Sequence, residues 1–203
     1  MSPRPRKVSD DEIFAATHRA TMRLAPNELT LAEIAAEAGV TAGAVAQRFG
    51  SKRALLLALA KAAAASTGDF IAQLRAEHRS PLAAVRAYAG CMAGLAQSPA
   101  ALARNLAYLQ IDLADPDFRE QLSVQARQTR AGLRDLFEAA VAARELKRGT
   151  DVDALARTVE AMIAGSLMTW AFYHDGPAER WIRDDVDAVL APYLTTRSAT
   201  KRR

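Results

Sequence analysis

At 203 residues the chain has room for one or two domains with a sizeable core. Half of it is hydrophobic, alanine is abundant and runs of β-branched residues are scarce, a composition that points to an all-α fold. The net charge of +4 is uneven: residues 1–53 carry +2, residues 54–194 carry −2 and the last nine carry +4, a distribution that suits nucleic-acid contact at a terminus.

The chain begins with Arg4, Arg6 and Lys7 spaced by prolines, which reads as a disordered arm over residues 1–8 able to reach a minor groove or nearby phosphates, or as a plain flexible end. No secretory hydrophobic region is present there. Ser9 with Glu12 is a capping box, with Asp10 and Asp11 in the favourable first turn of a helix. That helix is predicted to run to about Leu24, with Ile13, Phe14, Thr17, Ala20, Thr21 and Leu24 facing the helical hairpin after it; Pro26 and Asn27 end it.

The stretch from Leu29 to Leu57 carries the densest signal. Thr30 and Glu33 form a second capping box, and Leu31, Ile34, Ala35 and Ala38 share one face of the helix it opens. Gly39 stops that helix, because glycine enters a left-handed C′ position without strain. Thr41 caps a second short helix, Ala42 to about Arg48, whose buried edge is Val45 with Phe49. Two short helices joined by a tight glycine turn have the geometry of a helix-turn-helix. The outer face of the second is slim: Ala42, Gly43, Ala46 and Gln47, with Arg48, Lys52 and Arg53 just beyond. A slim helix can lie deep in a DNA major groove while flanking cations meet phosphates. A plain helical hairpin in an alanine-rich bundle is the competing reading of the same periodicity.

Ala38-Gly39-Val40-Thr41, Gly43-Ala44-Val45, Phe49, Ser51, Lys52 and Leu55 together resemble the DNA-binding motif of the tetracycline-repressor (TetR) family of bacterial transcription regulators. The register departs from that motif at Ala46, where the family usually has Tyr, and at Arg48, where it often has His. The usual Tyr touches a phosphate, a contact that Arg48 could replace electrostatically. The resemblance implies that Thr30, Thr41, Ala42, Gly43, Gln47, Arg48 and Lys52 meet double-stranded DNA carrying an inverted repeat. It also implies a helix-turn-helix domain over 1–53 and a helical effector-binding and dimerisation domain over 54–194. A basic tail occupies 195–203.

Further along, Gly50 and Ser51 open a long fourth helix to about Glu77, with Gly68 as its weak point, since glycine costs roughly 1 kcal/mol relative to alanine. Ser80-Pro81, Ser98-Pro99 and Asp115-Pro116 are each a cap followed by proline at N1. They open helices ending near Ala96, Leu113 and Leu146. Thr150-Asp151 precedes an eighth helix, about Val152 to Tyr173, and Asp175-Gly176-Pro177 a ninth, about Ala178 to Tyr193, making about nine in all.

The eighth helix is apolar almost all round from Met162 onward, so it must be buried on more than one face. Its Ala161, Ala164, Gly165, Met168 and Phe172, with the stripe Ile182, Val186, Val189 and Leu190 of the ninth, are the expected homodimer interface, a four-helix bundle as the TetR resemblance implies. One large monomeric core is the alternative. A ligand pocket is the family's other implication; its candidates are Tyr88, Met92, Tyr108, Met162, Ser166 and Trp170, and the effector implied is an apolar or aromatic small molecule of unknown identity. Plain core packing competes at each position.

Cys91 stands alone, which excludes an intramolecular disulfide and fits a reducing cytosol; with no basic neighbour in sequence it reads as a buried small hydrophobe. His18, His78 and His174 lack metal-ligand spacing, and no phosphate loop, nucleophile elbow, CxxC or HExxH occurs, so neither a metal, a cofactor nor an enzyme is expected. The longest apolar run, Val159 to Tyr173, contains Glu160 and is too short to span a bilayer, so the expected setting is the cytoplasm, away from membrane. The reading is a dimeric, ligand-responsive repressor; a helical dimeric scaffold or adaptor without DNA binding is the alternative, and it has no need of Thr41, Gly43 and Lys52 in register.

Overall fold

A computed structural model describes residues 8–195. The helices in chain order are α1 (Asp10–Thr21), α2 (Leu31–Ala38), α3 (Ala42–Phe49), α4 (Lys52–Glu77), α5 (Pro81–Ala93), α6 (Pro99–Ala114), α7 (Pro116–Ala142), α8 (Val152–Tyr173) and α9 (Ala178–Leu190). Among the described residues there is no strand beyond one isolated antiparallel bridge between Leu146 and Leu194. The fold is all-α, as the composition predicts. The arm at residues 1–7 and the tail from residue 196 lie outside the described residues.

Most helix-start signals of the sequence form as expected; the capping box is complete at Ser9 and Glu12, whereas at Thr30 the structure shows the threonine half, Thr30 Oγ1 accepting from the Glu33 N–H. Ser9 Oγ accepts from the Glu12 N–H while Glu12 Oε2 accepts from the Ser9 N–H. Ser80 and Ser98 each accept from the N–H three residues on, at 3.2 and 3.1 Å. The ends of helices are less well predicted. α1 stops at Thr21 rather than near Leu24, and α7 stops at Ala142 rather than Leu146, where Arg144 turns left-handed at φ 59°. α5 gives way to a 3-10 turn over Gly94–Ala96, and α9 to another over Ala191–Tyr193.

The chain divides into two compact units. The first contains residues up to 63 together with 103–122; the second contains 64–102 and 123 onward. The unit that holds the helix-turn-helix therefore runs past residue 53, taking in the first half of α4, most of α6 and the start of α7. Its core is Val8, Ile13, Ala20, Leu29, Ile34, Ala35, Val45 and Leu55, closed by Phe14, Phe49, Leu56 and Tyr108 among others. Burying an aliphatic side chain of this size contributes roughly 1.5–3 kcal/mol.

The second unit packs α5, α8 and α9 together around Val85, Val159, Ile163, Ile182, Val186 and Leu190. Three of the four α9 residues expected at a dimer interface are spent inside the protomer: Ile182, Val186 and Leu190 are fully buried, while Val189 is half-buried. An amphipathic helix with one apolar stripe can bury it once, and here α5 and α8 receive it. Conversely, Ala161, Ala164, Gly165, Met168 and Phe172 on α8 are exposed, Phe172 at 77%. Cys91 is exposed too, not buried; it lines a surface cleft with His78, Arg86 and Arg183. Finally, α4 rather than the run at 159–173 is the one described helix long and apolar enough to cross a membrane by length and composition, with mean hydropathy 1.4 over its best window. Its apolarity is largely alanine, and its first turns carry Leu55 into the core of the first unit.

Candidate nucleic-acid interface

The reading element is built by two threonine caps and one glycine. Thr30 and Thr41 sit in extended conformation, and each side-chain oxygen accepts the N–H three residues on, from Glu33 and Ala44, both at 3.1 Å. Gly39 takes the left-handed conformation at φ 69°, ψ 32°, and its N–H returns to the Ala35 and Ala36 carbonyls. The N–H of Val40 also reaches the Ala35 carbonyl at 3.0 Å, so the turn is closed by backbone bonds. Any other residue at Gly39 would be strained there. Val45 is fully buried and Phe49 packs its ring against Phe14 at 5.9 Å, so α3 is fixed by one edge.

The opposite edge of α3 is open. Ala42, Gly43, Gln47 and Arg48 are exposed and Ala46 is half-buried. Gln47 is the side chain on this surface able both to donate and to accept toward a base edge. Because the Thr30 and Thr41 oxygens accept their caps, each hydroxyl hydrogen remains to be donated outward.

The cations expected to meet phosphate are otherwise engaged. Lys52 is half-buried and donates to the carbonyls of Pro26 and Leu29, at 2.9 and 2.8 Å, closing the loop between α1 and α2. Arg48 donates to the Val8 carbonyl and pairs with Asp10. Arg53 grips Asp115 with two bonds of 2.8 Å and reaches Asp117 at 2.6 Å, with its guanidinium 5.7 Å from the centre of the Phe118 ring. That hydrogen-bonded pairing holds the Asp115 carboxyl below its ordinary value of 3.8 and keeps Arg53 charged. Arg19 and Arg23 share Glu37 between α1 and α2, which lowers the Glu37 carboxyl, chiefly through the Arg19 bond. These partners lie 14 to 64 residues apart, so spacing along the chain gives no hint of them.

Tyr108, a candidate for the ligand pocket, belongs instead to the first unit. It packs on the core there and donates its hydroxyl to the Leu24 carbonyl at 2.9 Å, and burial pushes its pKa up to about 12. One turn earlier on α6, Arg104 donates to the Met22 carbonyl at 3.0 Å. Both bonds satisfy carbonyls that the end of α1 leaves without helical partners. The other pocket candidates lie in the second unit. Tyr88 is buried, and burial raises its pKa. Met92 and Met162 are half-buried. Ser166 is buried and donates to Asp185, while Trp170 is buried and donates to the Gly176 carbonyl at 2.9 Å. These polar groups already have partners inside the protein. A cavity of about 400 Å³ lies elsewhere in that unit, between α4 and α7, lined by Ile71, Ala72, Arg75, Gln128, Gly132 and Leu136 among others.

Residues 13–59 match the profile described as bacterial regulatory proteins, tetR family, and residues 107–186 match that of the tetracyclin repressor-like C-terminal domain. No curated protein matches the chain. Among solved structures, it is similar to a TetR transcription regulator from Haloarcula marismortui, with 20% identity, a TM-score of 0.70 and coverage of 92% of this chain and 98% of that one. It is similar to SmeT, the repressor of the Stenotrophomonas maltophilia multidrug efflux pump SmeDEF, at 20% identity and a TM-score of 0.65 over 94% and 92%. The reduced form of NemR from E. coli has 15% identity and a TM-score of 0.72 over 92% and 98%. These likenesses are of fold; the two profiles bracket the capped hairpin at one end and the α6–α9 region at the other. The chain belongs to the TetR family of bacterial regulatory proteins, DNA-binding transcription regulators with an N-terminal helix-turn-helix and a helical C-terminal domain.

Proposed function

We propose that the protein is a cytoplasmic repressor, not an enzyme, that binds an inverted-repeat operator as a homodimer. The observation that carries this reading is α3: pinned by Val45 and Phe49, it offers a slim outer edge of Ala42, Gly43, Ala46 and Gln47. Small side chains let a helix approach base edges closely, and Gln47 supplies hydrogen bonds to an adenine or another base. Thr30 and Thr41 give hydroxyl donors to phosphate at the two helix N-termini, where the dipole also favours an anion. The exposed α8 face, with Phe172 and Met168 at its end, supports pairing with a second copy.

Release by a small molecule completes the proposal. The α4–α7 cavity is lined mainly by apolar residues, with Arg75, Gln128 and Asp135 as its polar side chains; the Arg75 guanidinium bonds the His78 carbonyl and Asp135 pairs with Arg134. It suits an apolar or aromatic compound better than the Ser166 and Trp170 region, where the polar groups are satisfied. Selection from a random duplex pool tests the DNA reading. An enriched inverted repeat is expected, with Gln47→Ala losing about 1–3 kcal/mol of discrimination at one base pair. A pool with no enriched sequence ends the reading. A thermal-shift screen followed by DNA-release assays tests the effector; stabilising compounds that leave operator affinity unchanged would refute release.

A further inference from the structure

The cavity between α4 and α7 holds about 400 Å³, a volume of the size that small molecules occupy. Its floor is apolar: Ile71 and Leu136 are each 3% exposed. Two contacts fix how the helices run beside it. The Gly68 N–H reaches Gln128 Oε1 at 3.2 Å, and one turn further along each helix Ile71 faces Gly132. Both helices therefore advance in the same direction past the cavity. Gln128 stands at its beginning and Arg75, one turn beyond Ile71, at its end. Along the axis of α4, Gly68 and Arg75 are about 10 Å apart.

The polar groups at the two ends differ in what they can still bind. Gln128 uses its carbonyl oxygen to accept the Gly68 N–H, which orients the amide and leaves the NH2 to donate. The Gly68 N–H is its one hydrogen-bond partner among the described residues. Arg75 donates Nη1 to the His78 carbonyl at 3.1 Å and meets no carboxylate among the described residues. Asp135, the acid of the lining, is held by Nε and Nη2 of Arg134 at 3.3 and 3.0 Å. Its charge is thus answered by a side chain outside the lining, and the unanswered charge is the Arg75 cation. A guanidinium with donors to spare is the natural partner of a carboxylate.

We propose that this cavity binds an elongated apolar or aromatic acid, its carboxylate on Arg75 and a hydroxyl or carbonyl oxygen about 10 Å away on the Gln128 amide. This rests on the reading of the cavity as the effector site. Ile71 and Leu136 supply burial along the body of the ligand, and the two polar ends select it. A cationic compound of the same shape is rejected, because it meets Arg75 while Asp135 is already paired.

The test is calorimetric titration of the full chain with a biphenyl carboxylate carrying a hydroxyl at the far para position. Its relatives are the carboxamide, the aminomethyl analogue and the acid without the hydroxyl. The acid should bind about tenfold or more tightly than the carboxamide or the aminomethyl compound. Arg75→Gln should erase that preference, and Arg75→Lys should keep part of it. Gln128→Leu should erase the preference for the hydroxyl, about two- to tenfold, and leave the preference for the acid. Thermal melts of each variant identify any loss that comes from unfolding. Ala72→Phe, which fills the cavity from its exposed rim, should abolish binding of the whole series. A carboxamide or amine that binds as well as the acid, or an acid preference that survives Arg75→Gln, overturns the proposal and leaves the cavity to neutral apolar compounds. A parent that binds none of the series overturns it too. Binding that survives Ala72→Phe overturns the effector-site reading of the cavity and this proposal with it.

Discussion

At the scale of single residues, the informative side chain is Lys52. Its place in the family motif made it a phosphate contact, yet its ammonium holds the Pro26 and Leu29 carbonyls, which would otherwise lack partners where the chain leaves α1 for α2. Lys52→Met keeps the aliphatic stem and removes two charge-assisted bonds, so it should cost about 1–3 kcal/mol of stability. The slope of log affinity against log salt should stay as in the parent, whereas a lost phosphate contact lowers it by about one unit. Denaturant melts and a salt titration of operator binding separate the two. Such roles are hidden from the sequence for a simple reason: Lys52 Nζ meets carbonyls 23 and 26 residues upstream, and side-chain pattern does not announce a backbone acceptor. The caps at Ser9, Thr30, Thr41, Ser80 and Ser98 were legible because their partners lie three residues away.

At the scale of elements, two contacts set testable limits. α4 and α7 meet where Gly132 faces Ile71; a Cβ built on Gly132 would stand 2.7 Å from Ile71 Cδ1 and 2.9 Å from its Cγ2. Gly132→Ala should therefore push the helices apart, costing about 1–3 kcal/mol in overpacking and changing the cavity beside it. A lowered melting temperature that Ile71→Val partly restores in the double variant would establish the clash as the cause. The second contact is Arg53 with Asp115 and Asp117, which ties the first turn of α4 to the corner between α6 and α7. Asp115 has a depressed pKa in the folded state, so its contribution is present above the unfolded value of 3.8 and fades as pH falls through the lower folded value. Asp115→Asn should then melt below the parent at neutral pH, and the gap should shrink once pH drops beneath 3.8, as melts across an acid series would show. Helix starts were legible and helix ends less so. A start is marked by a side-chain cap or a proline; the ends of α1 and α7 are set by backbone turns, at Met22 and Arg144, with no glycine to mark them.

At the scale of the whole molecule, the question is which apolar surface is left to a second copy. From sequence, α8 and α9 both offer stripes, and periodicity cannot say which stripe a protomer keeps for itself. Within the protomer, α9 gives Ile182, Val186 and Leu190 to its own core, and α8 leaves Ala164, Met168 and Phe172 exposed, which favours α8 as the pairing face. Two substitutions of similar chemistry should therefore fail differently. Val186→Asp places an unpaired carboxylate in a fully buried site and should leave the protein unfolded or aggregated. Ala164→Glu places one on an exposed helical face and should leave helix content and melting behaviour of the protomer intact, while like charges meet across a self-complementary interface. Sedimentation should then show a folded monomer. Operator binding should collapse with it, because two linked heads gain effective concentration for the second half-site that two separate heads lack. An Ala164→Glu protein that remains a dimer and still binds its operator would place the interface off this face of α8. The exposed end at Phe172 and Tyr173 would then need a different partner.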